Sequence, residues 1–375
     1  MRTRLVRPSE SAWEECLQDI PRDVYHTAGF HLYSEGSGEG RAFMAVIGDR
    51  RRGLAWPYLL RAIADVPGLA ESEATDATSV YGYPGPLAWG CEPGDQFLLD
   101  AWRELLGLWR DQLIVTVFTR LHPLLGNASL VTGLRVGDGT AADAAAVQPL
   151  GETVSIDCTI DDEAAQGLYD RRVRQAVDRG RRDGLVTIED ESWADLGKFV
   201  DLYRETMQIN NAAAYYFFSH SDLARLREAL PAHVHLLATY RDGTMVAAGI
   251  LTEFRGIVQT YLSASDRRVH PSPKPLFYDD ARRWARARGN HVLHLGGGRG
   301  SRADSLLEFK ARFSPIRHTF SIGRWVIDDR AYRELVEARL ARQGTSDPLD
   351  HAYFPAYRDA PPDAPPSQEV GDDVR

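Results

Sequence analysis

The feature that most constrains the fold of this chain is segment 291–313, in which an apolar, strand-like stretch runs into three consecutive glycines and then into a helix-like stretch. Glycines between a strand and a helix let backbone amides approach a ligand, because no Cβ stands in the way. Close packing of a neighbouring side chain would need the same glycines, and a plain turn would also use them. The run consists of Gly296, Gly297 and Gly298.

The helix-like stretch carries a lysine, which is a rare residue in this chain. Of 44 basic residues, only Lys198, Lys274 and Lys310 are lysines. A chain that otherwise uses arginine keeps lysine where a compact ammonium is required, although a general bias toward arginine gives the same count. The position of Lys310 beside the glycines favours a functional role. Phe309 and Phe313 are four residues apart, which is typical of core packing, and Phe309 is also a candidate for lining a site.

Length and composition predict a folded protein of two domains. The chain has 375 residues, of which 43% are apolar and 26% charged, as in ordinary globular proteins. The net charge of −9 argues against a general nucleic-acid-binding or membrane-surface protein, while a local basic patch would still allow contact with RNA; DNA is not expected as a partner. Three distant cysteines indicate neither a zinc site nor a disulfide framework. No stretch resembles a signal peptide or a membrane span, so a cytoplasmic location is expected.

The order of predicted elements from about residue 233 onward is hairpin, strand, long loop, helix, strand, helix and strand. This order is typical of an acyltransferase domain of the GNAT type. Upstream, Gln166–Arg182 is predicted to be one basic helix. The Ala/Asp/Gly-rich run Val136–Ala146 is expected to be an exposed loop near a domain boundary. From about Gly344 the sequence is rich in Pro, Asp and Ala, which predicts a disordered tail.

A loop rich in proline and glycine supplies further candidates. It holds Tyr81 and Tyr83, which are predicted to face a cleft and to bind an acceptor. Asp76, at the start of the loop, is either a general base near the acceptor amine or a turn cap.

The basic helix and an aromatic run complete the candidate residues. Arg171 and Arg174 belong either to a phosphate-binding face or to a solvated, salt-bridged helix. The aromatic run 215–218 is predicted to be partly core and partly cleft wall. The acceptor-binding candidates in this part of the chain are Tyr215, Tyr216 and Tyr261.

Five pieces of sequence, spread over roughly residues 20–325, occur together in a known family. They are Asp76–Pro86 (DATSVYGYPGP), the basic stretch 171–184, Tyr203–Met207 (YRETM), His294–Gly298 (HLGGG) and Asp304–Phe313 (DSLLEFKARF). In this order they resemble the Fem family (FemABX-like peptidyltransferases) and its relatives among the GNAT acyltransferases. The pieces are fairly specific for the superfamily and less specific for the substrate.

The resemblance implies an α+β fold of two tandem GNAT-like subdomains, each a mixed, mostly antiparallel sheet flanked by helices. The first is expected over 1–150, completed by about 320–342, and the second over 151–319, with 343–375 as the disordered tail. The resemblance also implies transfer of an amino acid from aminoacyl-tRNA to an amine, with no cofactor or metal. In such enzymes the lysine that matches Lys310 is thought to stabilise the transition state. An ammonium on the oxyanion would contribute on the order of 3 kcal/mol.

Two departures from the family pattern bear on the substrates. Cell-wall Fem enzymes resemble one another around an arginine before an aromatic pair, whereas Asn210–Tyr215 contains none, which favours a small amine or another acceptor. The alternative donor is acyl-CoA, but the loop Ser265–Pro275 lacks the glycines that cradle a pyrophosphate. Its basic residues, Arg267, Arg268 and Lys274, are able to bind the phosphates of either donor, and tRNA is favoured. A non-catalytic scaffold that kept the fold is a third hypothesis.

Overall fold

The computed structural model of the chain describes residues 1–136, 146–343 and 353–359. These residues form two compact units. The first contains the described residues of Met1–Leu150 and those from Phe320 onward, and the second is Gly151–Thr319. The run predicted to be a loop at the domain boundary lies, except for its two end residues, outside the described residues.

Strands and helices alternate along both units. The strands are β1 (Thr3–Val6), β2 (Arg41–Gly48), β3 (Gly53–Ala62), β4 (Thr75–Thr78), β5 (Leu87–Trp89), β6 (Ile114–Leu121), β7 (Val147–Asp157), β8 (Val186–Glu189), β9 (Val234–Arg241), β10 (Thr244–Phe254), β11 (Ile257–Ser265), β12 (Val292–Gly297) and β13 (Arg317–Val326). The α-helices are α1 (Ala12–Leu17), α2 (Ala28–Gly36), α3 (Gln96–Asp111), α4 (Ala128–Val131), α5 (Asp162–Gly167), α6 (Arg171–Arg182), α7 (Leu196–Ile209), α8 (His220–Ala229), α9 (Lys274–Ala287), α10 (Ser305–Ala311) and α11 (Asp329–Gln343). None of these helices is long and apolar enough to cross a membrane.

The sheet of the first unit has the strand order β1-β2-β3-β4-β6-β13, with β5 also paired to β3. All neighbours are antiparallel except β4 and β6, whose parallel pairing requires a crossover, which α3 supplies. The apolar face of α3 packs on the sheet through tryptophan. Trp102 and Trp109 of α3 lie 5.8 and 5.3 Å from Trp56 of β3, measured between ring centroids.

The sheet of the second unit repeats this arrangement, with the order β8-β9-β10-β11-β12-β7. Here β11 and β12 are the parallel pair, and α9 is the crossover between them. The other neighbours are antiparallel. Each unit is therefore a mixed, mostly antiparallel sheet with helices. The structure confirms the α+β fold with two GNAT-like sheets.

One predicted element boundary is wrong. The basic helix predicted over Gln166–Arg182 is two helices, because the side chain of Asp170 accepts a hydrogen bond from the backbone N–H of Arg172 and starts α6 anew. The strand that leads into the glycine run extends over its first two residues. Gly296 and Gly297 are the last residues of β12, where they pair with β7.

A buried carboxylate in the first unit binds residues near the C-terminus. Asp76 on β4 is fully buried, and its Oδ1 accepts a hydrogen bond from Arg61 Nε at 2.7 Å. Its Oδ2 accepts bonds from the Tyr357 hydroxyl at 3.0 Å and Arg358 Nε at 2.5 Å. The Tyr357 hydroxyl also lies 2.8 Å from Thr116 Oγ1 on β6. Although burial alone raises the pKa of Asp76, the charges of Arg61 and Arg358 hold it below its ordinary value.

Residues 353–359 are therefore folded. Ala356–Arg358 form a 3-10 turn whose three side chains are buried. The expectation of a disordered tail from residue 343 is wrong for this segment, because its tyrosine and arginine complete the bonds of a buried carboxylate. Residues 344–352 and 360–375 of the expected tail lie outside the described residues.

We expect Arg358→Met to lower the free energy of unfolding by about 3 kcal/mol, because it leaves the buried Asp76 carboxylate short of one cation. Urea denaturation of the full chain measures this loss. Arg330→Met is the matched control, since Arg330 pairs with Glu334 at 2.8 Å on the exposed surface of α11. An exposed pair contributes at most about 1 kcal/mol. Equal losses in the two variants would contradict a structural role for Arg358.

His26 and His31 of the first unit are fully buried. Nε2 of His26 and Nε2 of His31 have no hydrogen-bond partner in the part of the chain that the structure describes. Burial lowers the pKa of His26 to about 3 and that of His31 to about 4, and the nearby His122 adds to the effect on His26. Both imidazoles are therefore neutral in the folded protein at neutral pH.

The stability of the protein should consequently fall on acidification. Because the pKa values of His26 and His31 lie below their ordinary value of 6.5, the unfolded chain binds more protons below pH 6.5. Each histidine then removes about 1.4 kcal/mol of stability per pH unit. Urea denaturation between about pH 7.5 and about pH 5 measures the slope. We expect His31→Gln to reduce it and His220→Gln, at an exposed position, to leave it unchanged; an undiminished slope in the first variant would refute this explanation.

Candidate active site

The parallel strands of the second unit separate at one end. β11 and β12 are paired with each other only where Ile257–Gln259 lie beside Val292–His294. Beyond this point β11 continues beside β10, and β12 continues beside β7. Past these residues, the described parts of β11 and β12 form no pairs with each other. We call this gap the β11–β12 opening.

The glycine run forms the β12 side of the opening. Gly296 has φ +73° and lies where the register between β12 and β7 shifts. A Cβ on Gly298 would overlap the carbonyl oxygen of Arg302, and a Cβ on Gly297 would lie 2.8 Å from the carbonyl oxygen of Glu152. Backbone geometry therefore requires glycine here, whether or not a ligand approaches.

Lys310 lies over the glycine run. Its helix, α10, begins at Asp304, whose carboxylate accepts hydrogen bonds from the backbone N–H groups of Leu306 and Leu307 at 3.0 Å each. Lys310 is 9% exposed, and its Nζ donates to the carbonyl oxygen of Gly297 at 2.6 Å. Burial lowers the pKa of Lys310 to about 7, and the positive charge of Lys274 lowers it further, against the opposing charge of Asp304. Neutral and charged forms are therefore both populated near neutral pH.

Further cations surround the start of α9. Lys274 is in the first turn of this helix, and burial followed by the charges of Arg267 and Arg299 lowers its pKa. Among the described residues no carboxylate pairs with Lys274. Arg267 donates to Asn210 Oδ1 at 2.6 Å, and Arg299 pairs with Asp304 at 2.9 Å. Among the described residues, Lys274 and Arg267 thus have no carboxylate partner, whereas Arg299 has one.

Arg268 differs from its neighbours, because two carboxylates neutralise it. Its guanidinium pairs with Asp266 at 2.8 Å and with Glu205 at 3.3 Å. The prediction placed Arg268 with Arg267 and Lys274 as a phosphate ligand. The structure leaves Lys274 and Arg267 as the stronger candidates.

Several aromatic side chains of the second unit pack against one another. Phe309 contacts Tyr278 and Phe313 at 5.8 and 5.3 Å between centroids, so it packs on the core rather than standing alone in a site. Tyr261 on β11 is 9% exposed and lies 6.5 Å from Phe218, which is 6.3 Å from Tyr215.

Tyr215 and its neighbour Tyr216 are half-buried, and their rings lie 5.4 Å apart. The three tyrosines proposed to bind an acceptor, Tyr215, Tyr216 and Tyr261, therefore form one aromatic cluster with Phe218. The cluster begins on β11, the strand that borders the opening.

Arg171 and Arg174 are exposed on α6 and make no ion pair with the described residues. The opposite face of α6 is buried, and Gly180 packs there against Leu276 of α9. Arg181, by contrast, pairs with the buried Asp279 at 2.5 Å. The basic helix thus combines a structural arginine with arginines whose charge is available at the surface.

The remaining predicted residues belong to the first unit. The prediction that Asp76 is a general base is wrong, because the carboxylate is fully buried and both its oxygens accept hydrogen bonds from arginine or tyrosine. Tyr81 and Tyr83 are half-buried. The guanidinium of Arg120 lies 5.8 Å from the ring of Tyr81, and Tyr83 packs edge-on against Phe320 at 5.1 Å.

The sequence prediction missed three residues of the second unit. Asp304 was detectable, since an acidic residue directly before a helix is a capping signal. Arg299 and Tyr278 had no such signal. Tyr278 is buried on α9, with its hydroxyl 3.1 Å from the Ser263 hydroxyl on β11. In the described part of the chain, no three His, Cys, Asp or Glu side chains are placed to hold a metal ion.

Comparison with protein families matches residues 169–311 to an acetyltransferase (GNAT) domain. This range runs from the start of α6 to the end of α10, and so includes the β11–β12 opening, the glycine run and Lys310. A search of curated proteins found no match.

Solved structures with a similar fold cover most of the chain. The crystal structure of FemX matches 89% of this chain and 99% of its own, with a TM-score of 0.65 and 11% identity. L-PGS from Bacillus licheniformis matches 89% of this chain and 97% of its own, with a TM-score of 0.53 and 13% identity. A conserved protein of unknown function from Bacteroides thetaiotaomicron matches 80% and 90%, with a TM-score of 0.53 and 11% identity. Residues 169–311 of this chain are therefore similar to a GNAT acetyltransferase domain, and the chain as a whole has the FemX-like fold that its sequence implies.

Proposed function

We propose that this protein is an aminoacyltransferase that moves an amino acid from aminoacyl-tRNA to an amine. The observation that carries the proposal is the position of Lys310, whose amine is bonded to Gly297 beside the opening between two parallel strands. The FemX-like fold and the motifs shared with the Fem family support a tRNA donor.

The proposed reaction is direct attack on an ester that is already activated. The acceptor amine forms a C–N bond to the aminoacyl carbonyl carbon, and the C–O bond to the tRNA ribose breaks. The proton lost by the amine reaches the ribose oxygen through water or the substrate itself, since Asp76 is not available as a base. The ammonium form of Lys310 stabilises the oxyanion, and preorganised charge of this kind is often the largest contribution to acyl-transfer catalysis.

Uncompensated cations support an anionic donor. Lys274 and Arg267 stand at the start of α9, and Arg171 and Arg174 present their charge on the surface of α6. We propose that the first pair binds phosphates near the reacting end of the donor and that the second pair contacts a more distant part of the RNA.

An acyl-CoA donor is the second candidate, favoured by the match to a GNAT acetyltransferase domain. The loop that would cradle a pyrophosphate argues against it. Ser265–Pro275 contains no glycine and has proline at 271, 273 and 275, so these three positions offer no backbone N–H to an anion.

The proposed acceptor is a small amine or a peptide precursor with an aromatic or apolar part. The aromatic cluster of Tyr215, Tyr216, Phe218 and Tyr261 suits such a group. The stretch Asn210–Tyr215 lacks the arginine that cell-wall Fem enzymes share, so a cell-wall precursor is not favoured.

The donor is tested by transfer of labelled amino acids in a charged cell extract that contains the purified protein and candidate amines. We expect labelled amide product that disappears when RNase is added, because the tRNA ester is the activated group. Product that survives RNase and requires added acyl-CoA would establish the second candidate instead.

Lys310→Met should lower kcat by a factor on the order of 10² to 10³, because the oxyanion loses its cationic donor. The KM for the acceptor should change little, and the variant should fold, since methionine fills the same buried space. Lys198→Met is the control, because Lys198 is exposed and pairs only with Asp195 at 2.8 Å in the second unit. A parallel loss of stability and activity in Lys310→Met would show that Lys310 is structural.

A further inference from the structure

One edge of the sheet in the second unit is open. β8 is the last strand in the order of that sheet, and among the described residues it pairs only with β9. This pairing is antiparallel and keeps a single register from Val186 to Glu189. A strand in such a position presents backbone N–H and C=O groups that are able to pair with a further strand.

The hydrogen bonds of this region indicate which backbone groups point toward the open edge. The N–H of Asp190, directly after β8, donates to the carbonyl oxygen of Leu236 on β9 at 2.8 Å. Antiparallel neighbours alternate between residues that bond across the pair and residues that do not, so every second residue before Asp190 also bonds to β9. The backbone N–H and C=O groups of the intervening residues, Thr187 and Glu189, therefore point away from β9.

The side chains of β8 make one face of this edge apolar. Val186 and Ile188 are two residues apart in a strand, so they lie on the same face, and they are 58% and 52% exposed. Thr187 lies on the other face, where its hydroxyl is 2.9 Å from the Thr239 hydroxyl on β9. Edge strands are usually protected by charge or proline. Two exposed β-branched side chains on an open edge favour pairing with a further strand instead.

Opposite charges stand at the two ends of β8. Before the strand, Arg182 is exposed at the end of α6, and among the described residues its guanidinium donates only to the carbonyl oxygen of Asp178, at 3.3 Å. After the strand, acidic side chains line a small cavity, and they are Glu189, Asp190, Glu191 and Asp195. An antiparallel second copy of β8 brings the arginine of one chain toward the acidic cavity of the other, whereas a parallel copy sets like charges side by side.

We propose that β8 is an interface between two copies of this chain, in which the two β8 strands pair antiparallel about a two-fold axis at Ile188. The isoleucines lie opposite each other on the apolar face, with Val186 of each copy diagonal to Ile188 of the other. A contact of this kind is isologous, so it closes at two copies and leaves neither edge open. The interface is independent of the transfer reaction proposed above.

The register follows from the backbone groups that are available. With the axis at Ile188, Thr187 of each copy bonds to Glu189 of the other through both N–H and C=O, so all outward groups of the two strands are bonded. An axis at Thr187 would instead require the N–H of Leu185, which already donates to Gly180 at 3.0 Å. An axis at Glu189 would set two carboxylates opposite each other, which is unfavourable.

Sedimentation of the full chain between about 5 and about 500 μM measures the association, because a short strand interface is expected to be weak. We expect the average mass to rise toward twice that of the chain. Ile188→Lys places two ammonium groups on the axis and should weaken association at least about 10-fold. Leu32→Lys is the control, since Leu32 is also exposed, at 45%, but lies on α2 of the first unit. Circular dichroism checks that both variants fold.

Disulfide formation tests the register. The Cα atoms of residues opposite each other at a non-hydrogen-bonded position are about 4.5 Å apart, which a disulfide spans, so oxidised Ile188→Cys should run as a reducible dimer on a denaturing gel. Val186→Cys is the matched control, because this register separates the two copies of residue 186 by roughly 13 Å along the strands. The native chain, with its three cysteines, gives the background.

Three results would overturn the proposal. The chain could stay monomeric at the highest concentration, or Ile188→Lys could associate as well as Leu32→Lys, which would place the contact on another surface. Equal cross-linking of Ile188→Cys and Val186→Cys would contradict the register. A concentration-dependent dimer that Ile188→Lys weakens, together with cross-linking confined to Ile188→Cys, would establish the interface.

Discussion

The parallel pair of strands in each sheet is the constraint on which the rest of the structure depends. Parallel neighbours cannot be joined by a hairpin, so the chain must leave the sheet, form a helix and return. In the second unit that helix is α9, and its first turn therefore lies at the end where β11 and β12 separate. The opening and the position of Lys274 beside it both follow from this one connection.

The two units share a strand order but differ at their parallel pairs. In the first unit the Tyr357 hydroxyl donates a hydrogen bond to Asp76 of β4 and lies within hydrogen-bond distance of Thr116 of β6. The segment 353–359 therefore contacts both strands of the parallel pair. In the second unit, β12 ends in glycines and presents a backbone carbonyl to a lysine. The same topology thus serves a structural ion pair in one unit and a candidate active site in the other.

The electrostatics of the candidate site follow from burying an amine without a carboxylate partner. A charged lysine in such a place is costly, and the nearby Lys274 increases the cost, so the free amine form becomes populated near neutral pH. Asp304 reduces this effect only partly, because it also caps α10 and binds Arg299. The excess of positive charge at this site suits the phosphate-bearing donor that we propose.

The sequence by itself determined the order of strands and helices in the second unit and the place of Lys310 in the helix after the glycine run, because these depend on local patterns. It also determined the two-subdomain fold through motifs spread along the chain. Only the tertiary structure decided what surrounds Asp76 and Lys274. Two of the partners of Asp76, Tyr357 and Arg358, lie 281 and 282 residues away, and the neighbours of Lys274 come from separate loops. A charge or a carboxylate takes its role from what surrounds it, and those surroundings are set by folding rather than by sequence distance.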